Sequence, residues 1–228
     1  ELLASSILHV SNGIKPVSVK SSAVIGVGTM GVGIAVTFVD AGIPTKLLDA
    51  SSNLLERGVD RVRDHYRRCV ERGRISYSEM TERLSLITGI TNYDDLRDVD
   101  IVVEAVFEEM DMKKEVFSRL DQSCGPDTIL ATNTSTLDID EIAAATTRPE
   151  HVVGMHFFSP AHVMRLVEIV RGRQTSLDTV ATVLKLVQTI RKIGVVVGVC
   201  DGFVGNRMLH SFLREAFFVR GRGHPRVN

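Results

Sequence analysis

The chain has 228 residues and a formal net charge of -1, and 44% of its residues are hydrophobic and 24% charged. This composition is that of an ordinary globular protein with one large core, and the near-neutral charge gives no footprint for nucleic acid or an anionic membrane. No apolar run approaches the roughly 18 residues that a membrane-spanning helix needs, so no membrane span is predicted.

The three cysteines, Cys69, Cys124 and Cys200, stand far apart without any C-x-x-C spacing. Neither a disulfide framework nor a metal site is predicted, and a reducing intracellular compartment is expected. The chain begins with Glu1 and has no basic segment ahead of its short apolar start, so no signal peptide is predicted. We interpret the chain as a piece of a longer protein.

Residues 1–20 combine a short apolar stretch with turn-forming residues and are predicted to be a linker or tail without chemistry. A β-branched strand then meets Gly26, Gly28 and Gly31, and a helix is predicted to follow to about Asp40. Gly26 permits a tight turn, Gly28 lets a pyrophosphate approach the backbone, and Gly31 lets the helix lie close on the strand. The unpaired N–H groups at the start of that helix favour a phosphate group.

A second strand is predicted over residues 45–48 and ends in Asp49. An acid at about 20 residues beyond the glycines is part of the dinucleotide-binding fingerprint. Strand, glycine turn, helix, strand and acid together predict a Rossmann unit. A glycine-rich loop without a ligand is the alternative.

Apolar residues recur at helical spacing over residues 52–72, between numerous arginines. This pattern predicts a long amphipathic helix with a basic outer face. Two interpretations of that face stay open: it is simply solvated, or some of its arginines contact a phosphate-bearing substrate. The arginines are Arg57, Arg61, Arg63, Arg67, Arg68 and Arg72.

Strands and helices alternate along the rest of the chain. Further strands are predicted over residues 87–91, 99–105, 128–132, 151–158, 166–170 and 194–199, and further helices over residues 78–86, 108–124, 177–193 and 203–219. A short helix opens at Asp138, with Glu141 three residues later in the manner of a capping box. The apolar strands and their alternation with helices predict an α/β fold, with a Rossmann-type, doubly wound, mostly parallel sheet.

Four polar residues fall at or just beyond strand ends, or at the start of the last helix: Ser135, His156, Glu168 and Asn206. Ligands of such sheets bind outside the carboxyl ends of the strands. A histidine is a natural general base for an alcohol proton, and a carboxylate on its other nitrogen fixes its tautomer. His156 and Glu168 can play these parts, although spacing alone also allows an ordinary buried histidine.

The chain resembles L-3-hydroxyacyl-CoA dehydrogenase in five ordered segments: residues 26–35, 102–108, 133–135, 156–160 and 202–207. The similarity runs from about Ser21 to Leu213. Residues 159–164 are most similar to the dehydrogenase segment of multifunctional, often peroxisomal, β-oxidation enzymes. The resemblance implies an NAD-binding Rossmann domain over residues 21–200, followed over residues 201–228 by the first helix of a truncated, all-helical C-terminal domain.

The resemblance implies that His156 takes the proton of a 3-hydroxyl group, that Glu168 pairs with it, and that Ser135 and Asn206 hydrogen-bond the substrate oxygens. Asp49 would hold the adenosine ribose, where a 2′-phosphate would meet a negative charge, so NAD is expected rather than NADP. The implied reaction is the oxidation of an (S)-3-hydroxyacyl-CoA to a 3-ketoacyl-CoA in fatty acid β-oxidation. The full set of residues expected at the cofactor is Gly26, Gly28, Thr29, Met30, Gly31, Asp49, Glu108, Lys113 and Ser159.

The expected partners are the acyl-CoA substrate and either a second copy, bound through the missing helical domain, or the other domains of a multifunctional chain. A peroxisome is favoured, with the mitochondrial matrix and the cytosol as alternatives. Two other functions stay open. One is a truncated NAD-binding relative with little or no catalysis, and the other is a β-hydroxyacid dehydrogenase that acts on a small free acid with NADP. No CoA-contacting residue is assigned.

Overall fold

The structure, a computed structural model, describes residues 13–221, and the predictions made for residues 1–12 and 222–228 lie outside this range. The described residues form one sheet of eight strands with helices on both faces. The strands are β1 (Ser22–Ile25), β2 (Thr45–Leu48), β3 (Ile87–Ile90), β4 (Ile101–Glu104), β5 (Ile129–Thr132), β6 (Val152–Phe157), β7 (Leu166–Arg171) and β8 (Ile193–Gly198). The α-helices are α1 (Thr29–Asp40), α2 (Ser52–Glu71), α3 (Tyr77–Ser85), α4 (Met110–Ser123), α5 (Ile139–Ala143), α6 (Leu177–Thr189) and α7 (Gly205–Gly221).

The strand order is β3-β2-β1-β4-β5-β6-β7-β8, and every neighbouring pair is parallel except β6 with β7. The predicted doubly wound, mostly parallel sheet is therefore confirmed. The order reverses between β1 and β4, which is where such sheets open a ligand-binding crevice. Strands β6 and β7 are antiparallel because the loop between them, residues 158–165, is too short for a parallel crossover.

Alternating side chains of the sheet enter two apolar layers, as expected when both faces are covered. In β4, Ile101 and Val103 pack on the side of α1, α2 and α6. Val102 packs on the opposite side, with residues of α4 and α5. The strands of the sheet centre are consequently buried along their whole length.

Polar caps fix where several helices begin. Ser51 accepts a hydrogen bond from the Leu54 N–H at 3.3 Å and starts α2. The predicted capping box at Asp138 is wrong in detail, because the Asp138 carboxylate accepts from the N–H of Asp140. The side chain of Glu141 is instead drawn to the ammonium of Lys114 on α4. None of the described helices is long and apolar enough to cross a membrane.

Candidate active site

The glycine turn between β1 and α1 has the form that its sequence predicts. Gly26 has a φ of +91°, and a Cβ placed there would lie 2.8 Å from the carbonyl oxygen of Ala105. A Cβ at Gly31 would lie 1.9 Å from the oxygen of Gly26, so α1 can approach the strand only because residue 31 is glycine. A Cβ at Gly28 would meet nothing within 4 Å, which leaves open space beside the backbone.

The first turn of α1 is free to bind an anion. Its N-cap, Gly28, has no side chain to cap the helix, and no acidic residue lies in the first turn. In the described part of the chain, the N–H groups of Thr29, Met30 and Gly31 find no backbone acceptor. Unpaired N–H groups and the positive end of the helix dipole together form an anion site.

Asp49 follows β2 and is half-buried at the same edge of the sheet. Its Oδ1 accepts a hydrogen bond from the N–H of Ser51 at 3.0 Å, and Oδ2 has no hydrogen bond to a described residue. The glycine turn and Asp49 follow the neighbouring parallel strands β1 and β2, so both lie at the same edge of the sheet.

His156 and Glu168 lie directly opposite each other on β6 and β7. The Nδ1 atom of His156 is 2.8 Å from Oε2 of Glu168, and the side chains are 7% and 2% exposed. Because a carboxylate only accepts hydrogen bonds, Nδ1 is the donor, and in the neutral imidazole Nε2 then keeps its lone pair. Nε2 has no hydrogen bond to a described residue and is not sealed from solvent.

The second oxygen of Glu168 joins this pair to the last helix. Oε1 accepts hydrogen bonds from the N–H groups of Val204 and Gly205, both at 2.9 Å. The start of α7, which carries half-buried Asn206, is therefore attached to the carboxylate that orients His156. No hydrogen bond from the Asn206 side chain to a described residue is present, so its amide is available to a ligand.

Aromatic rings surround the imidazole. The ring centre of Phe158 is 4.6 Å and that of Phe203 is 5.8 Å from that of His156. Phe203 is fully buried with a φ of +47°, a left-handed conformation that is uncommon for a residue with a side chain. A Cβ at Gly205 would lie 2.6 Å from Phe158, so the glycine allows α7 to pack on this ring. Both rings therefore lie close to the imidazole.

Glu108 and Ser135 meet at the carboxyl ends of β4 and β5. Oε1 of Glu108 accepts from Thr134 Oγ1 at 2.6 Å, from the Ser135 N–H at 2.7 Å and from Ser135 Oγ at 3.1 Å. Burial by itself would raise the pKa of Glu108, but the hydrogen bonds from Thr134 and Ser135 and the charge of Lys113 outweigh it and lower the pKa below its ordinary value. Glu108 is therefore ionised at neutral pH.

The other predicted residues take different positions at this edge. Lys113, which is predicted to lie at the cofactor, is only 1% exposed, and its Nζ is 2.7 Å from Oε1 of Glu104 and 3.4 Å from Oε2 of Glu108. Ser159 is exposed directly after Phe158. The three cysteines are free thiols.

Three contacts near the site are not predicted from the sequence, although Arg61 is among the arginines considered there as phosphate contacts. Glu104 ends β4 and is fully buried. The Oδ1 atom of Asn133 accepts from the N–H of Phe157 at 2.9 Å, beside His156. The guanidinium of Arg61 donates to the carbonyl of Val27 in the glycine turn. An acid at the end of an apolar parallel strand is a signal that could have pointed to Glu104, but the other two contacts depend on tertiary structure.

A family model described as 3-hydroxyacyl-CoA dehydrogenase, NAD binding domain, matches residues 21–200. The chain belongs to this family. The family is one of oxidoreductases, and the prediction of NAD as cofactor is confirmed.

Relatives of this dehydrogenase-family chain fall into long and short proteins. It is 45% identical over 212 residues to the peroxisomal bifunctional enzyme of Danio rerio, and the matched region covers 93% of this chain and 29% of that protein. It is 42% identical over 201 residues to the 3-hydroxybutyryl-CoA dehydrogenase of Clostridioides difficile, which covers 88% of this chain and 72% of that protein. The chain thus spans less than a third of the length of the bifunctional relatives it matches.

A solved structure shares the fold. The crystal structure of (S)-3-hydroxybutyryl-CoA dehydrogenase from Ralstonia eutropha superposes with a TM-score of 0.88 at 37% identity, covering 91% of this chain and 74% of that chain. The fold shared with this family member therefore extends over 91% of the chain.

Proposed function

We propose that the chain is the NAD-binding part of an enzyme that oxidises the 3-hydroxyl group of an (S)-3-hydroxyacyl-CoA to a ketone. The observation that carries the proposal is the buried hydrogen bond of 2.8 Å between His156 Nδ1 and Glu168 Oε2, which leaves Nε2 without a hydrogen bond to any described residue. A neutral imidazole held in this tautomer is suited to accept the proton of an alcohol.

The glycine turn fits NAD. The open space beside Gly28 and the uncapped start of α1 suit the pyrophosphate, and Asp49 suits the ribose hydroxyls. When bound, NAD supplies the acceptor for the hydride that leaves C3 of the substrate. The protein's own contribution is to bind, to orient and to move a proton.

His156 accepts the hydroxyl proton at Nε2 and becomes an imidazolium. The carboxylate of Glu168, buried beside Nδ1, stabilises this positive charge. Ser135 and Asn206 hydrogen-bond the substrate oxygens and so fix the orientation of C3. The rings of Phe158 and Phe203 restrict water around the imidazole, which strengthens the interaction between the two charges.

The test is the absorbance of NADH with acetoacetyl-CoA, which follows the reaction in reverse. The parent chain is expected to oxidise NADH, and His156→Ala is expected to lose about 10²–10⁴-fold in kcat, the usual share of a general base. His151→Ala is a matched control, because His151 lies in the short turn that precedes β6, at the opposite end of the same strand. Parental activity in His156→Ala, with NADH binding unchanged, would exclude the histidine as the base.

A second candidate is an NAD-binding unit with little turnover of its own. The apolar side chains of α7 favour it, since Met208, Phe212 and Phe217 are 69%, 70% and 66% exposed. An exposed apolar surface of this kind is typical of a site that packs against another protein surface. Because Asn206 lies on the same helix, its position depends on that packing. NADH binding without any oxidation by acetoacetyl-CoA, in a chain that is folded, would support this second candidate.

The basic face of α2 is proposed to contact the phosphates of CoA. The five arginines of α2 and Arg72, which directly follows the helix, are all exposed, as predicted. Arg63 and Arg67 pair with acids of the same helix, whereas Arg57, Arg68 and Arg72 have no carboxylate within ion-pair distance in the described residues. Arg72→Gln is expected to raise KM for acetoacetyl-CoA but not for a short acetoacetyl thioester without phosphates. An equal change in KM for acetoacetyl-CoA and for the short thioester would contradict this proposal.

We propose a peroxisomal location and a place within a multifunctional chain, because the longer relatives are named peroxisomal bifunctional enzymes. We propose a role in fatty acid β-oxidation because two plant relatives, from Cucumis sativus and Arabidopsis thaliana, are named fatty acid beta-oxidation multifunctional proteins. Fractionation of the source cells, with an antibody against this chain, tests both points. A protein of this size outside the peroxisomal fraction would contradict them, and a homodimer would then be the expected assembly.

A further inference from the structure

A buried ion pair lies beside the segment that joins β4 to α4. Lys113 Nζ is 2.7 Å and 2.9 Å from the two oxygens of Glu104, and 3.4 Å from Oε2 of Glu108. Glu104 also accepts from the Val106 N–H and from Thr132 Oγ1, both at 2.7 Å. Glu104 is 0% exposed and Lys113 is 1% exposed. Every polar atom of the pair is therefore engaged.

Stability alone does not account for this pair. Removing two charges from water is costly, and apolar residues of similar volume often stabilise a core as well or better. The neighbouring layers of the sheet are apolar. A charged pair within such a sheet therefore points to a task in the site above it.

The pair is placed to control the segment between β4 and α4. Glu104 lies opposite Ile25 on β1 and Thr132 on β5. Ile25 directly precedes the glycine turn, and Thr132 directly precedes the turn that carries Ser135. The residue after Glu104, Ala105, packs against the glycine turn, because a Cβ at Gly26 would lie 2.8 Å from the carbonyl oxygen of Ala105. Three residues further on, Glu108 shares the ammonium of Lys113.

Glu108 in turn holds the Ser135 turn. Its Oε1 accepts the N–H groups of Ser135 and Thr136 at 2.7 Å and 3.2 Å, as well as the Ser135 hydroxyl. The direction of the Ser135 hydroxyl therefore depends on where Glu108 lies. The position of Glu108 depends on how the charge of Lys113 is divided between the two carboxylates.

We propose that Glu104 is a positioning residue, which holds Lys113 below the sheet edge and thereby sets Glu108 and Ser135 in the orientation that cofactor and substrate require. With Glu104 neutral, Lys113 has Glu108 as its one remaining carboxylate among these residues and draws it away from the Ser135 turn. The part of this inference that concerns turnover rests on the proposed function. The part that concerns the orientation of Glu108 does not.

Two variants separate positioning from stability. Glu104→Gln leaves Lys113 with less compensation, and Glu104→Gln combined with Lys113→Met removes both charges together. The matched control is Glu141→Gln, which disrupts the surface pair that Lys114, the next residue of α4, makes with Glu141. The readouts are the melting temperature, amide hydrogen exchange at Ser135 and Thr136, the dissociation constant of NADH by titration, and kcat with acetoacetyl-CoA.

Positioning predicts that the double variant regains most of the parental melting temperature, while the two amides still exchange faster than in the parent. NADH is expected to bind about tenfold more weakly, the effect of losing about one charge-assisted hydrogen bond. A displacement of about 1 Å in a reacting group costs up to about 10²-fold, so kcat is expected to fall by about tenfold to a hundredfold. The Glu141→Gln control is expected to match the parent in all four measurements.

The inference is overturned if the double variant regains parental exchange, NADH affinity and kcat together with its stability, since the pair would then be structural only. Failure of the proposed function looks different. In that case the parent chain has no turnover, while amide exchange and NADH titration still report whether Glu104 positions Glu108.

Discussion

Replacing Glu168 by glutamine tests the orientation of the proposed base. The substitution keeps the shape of the side chain but turns one accepting oxygen into an NH₂ donor. In the parent, Oε2 accepts a hydrogen bond from Nδ1 of His156. Oε1 accepts hydrogen bonds from the N–H groups of Val204 and Gly205. The glutamine amide has one oxygen, which can face either the imidazole or the two backbone N–H groups.

The contacts decide that choice. If the amide NH₂ faced the two backbone N–H groups, both donors would lose their acceptor, at about 1–3 kcal/mol each when fully buried. If it faces His156, it donates to Nδ1, and the imidazole proton moves to Nε2. The second arrangement is favoured because both backbone N–H groups keep their acceptor, and the new N–H at Nε2 is not sealed from solvent. Nε2 then carries a proton and cannot act as a base.

We expect a large loss of activity with a small loss of stability. The wrong tautomer of a catalytic histidine lowers kcat by about 10⁴-fold in serine proteases, and base catalysis overall is typically worth about 10²–10⁴-fold. Three charge-assisted hydrogen bonds become neutral ones, at about 1 kcal/mol each. The melting temperature is expected to fall by at most about 6–12 °C, since about 1 kcal/mol corresponds to roughly 2–4 °C for a chain of this size.

The assay combines kcat with acetoacetyl-CoA, thermal unfolding, and nitrogen NMR of ¹⁵N-labelled histidine. The parent is expected to show the Nδ1–H tautomer and the variant the Nε2–H tautomer, with equal affinity for NADH. Glu115→Gln is the control, because Glu115 is an exposed carboxylate that pairs with Arg119 on the surface of α4. Activity within about tenfold of the parent, together with an Nε2–H tautomer, would refute the reasoning.

Three further predictions concern the cofactor turn and Glu108. Gly31→Ala is expected to destabilise the fold, because its Cβ would lie 1.9 Å from the oxygen of Gly26. The Cβ of Gly28→Ala would meet nothing within 4 Å, so this variant is expected to keep the parental melting temperature but to bind NADH more weakly. Equal effects of the two variants on melting temperature and on NADH affinity would contradict this prediction. Asp49→Ser is expected to lower the preference for NADH over NADPH in titrations, because the negative charge that opposes a 2′-phosphate is removed, and an unchanged preference would count against Asp49 as the ribose residue. The pKa of Glu108 lies below its ordinary value of about 4.5 despite its partial burial, so its ionised form contributes stability above that pH, and the contribution is lost as the pH falls through the lowered pKa. Glu108→Gln is therefore expected to show a smaller decrease in unfolding free energy below about pH 4.5 than the parent, and parallel pH curves would contradict the assignment.

Local sequence signals determined most of the secondary structure. The glycines before α1 and the helical spacing of α2 act over neighbouring residues, so their strands and helices could be predicted within a few residues. The acid at the end of β2 follows from the same local pattern. The chemistry of the site was partly readable as well, because His156 and Glu168 fall on adjacent strand segments whose polar residues interrupt apolar runs.

The sequence by itself thus determined the elements, the cofactor-binding turn and the residue types of the site. Tertiary structure alone decided the antiparallel register that sets His156 against Glu168, and the attachment of the start of α7 to the same carboxylate. It also decided that Lys113 lies buried on Glu104. Each of these contacts joins elements whose relative positions follow from the packing of the whole sheet, and the energy of a buried charge depends on that three-dimensional environment rather than on the residues beside it in the chain.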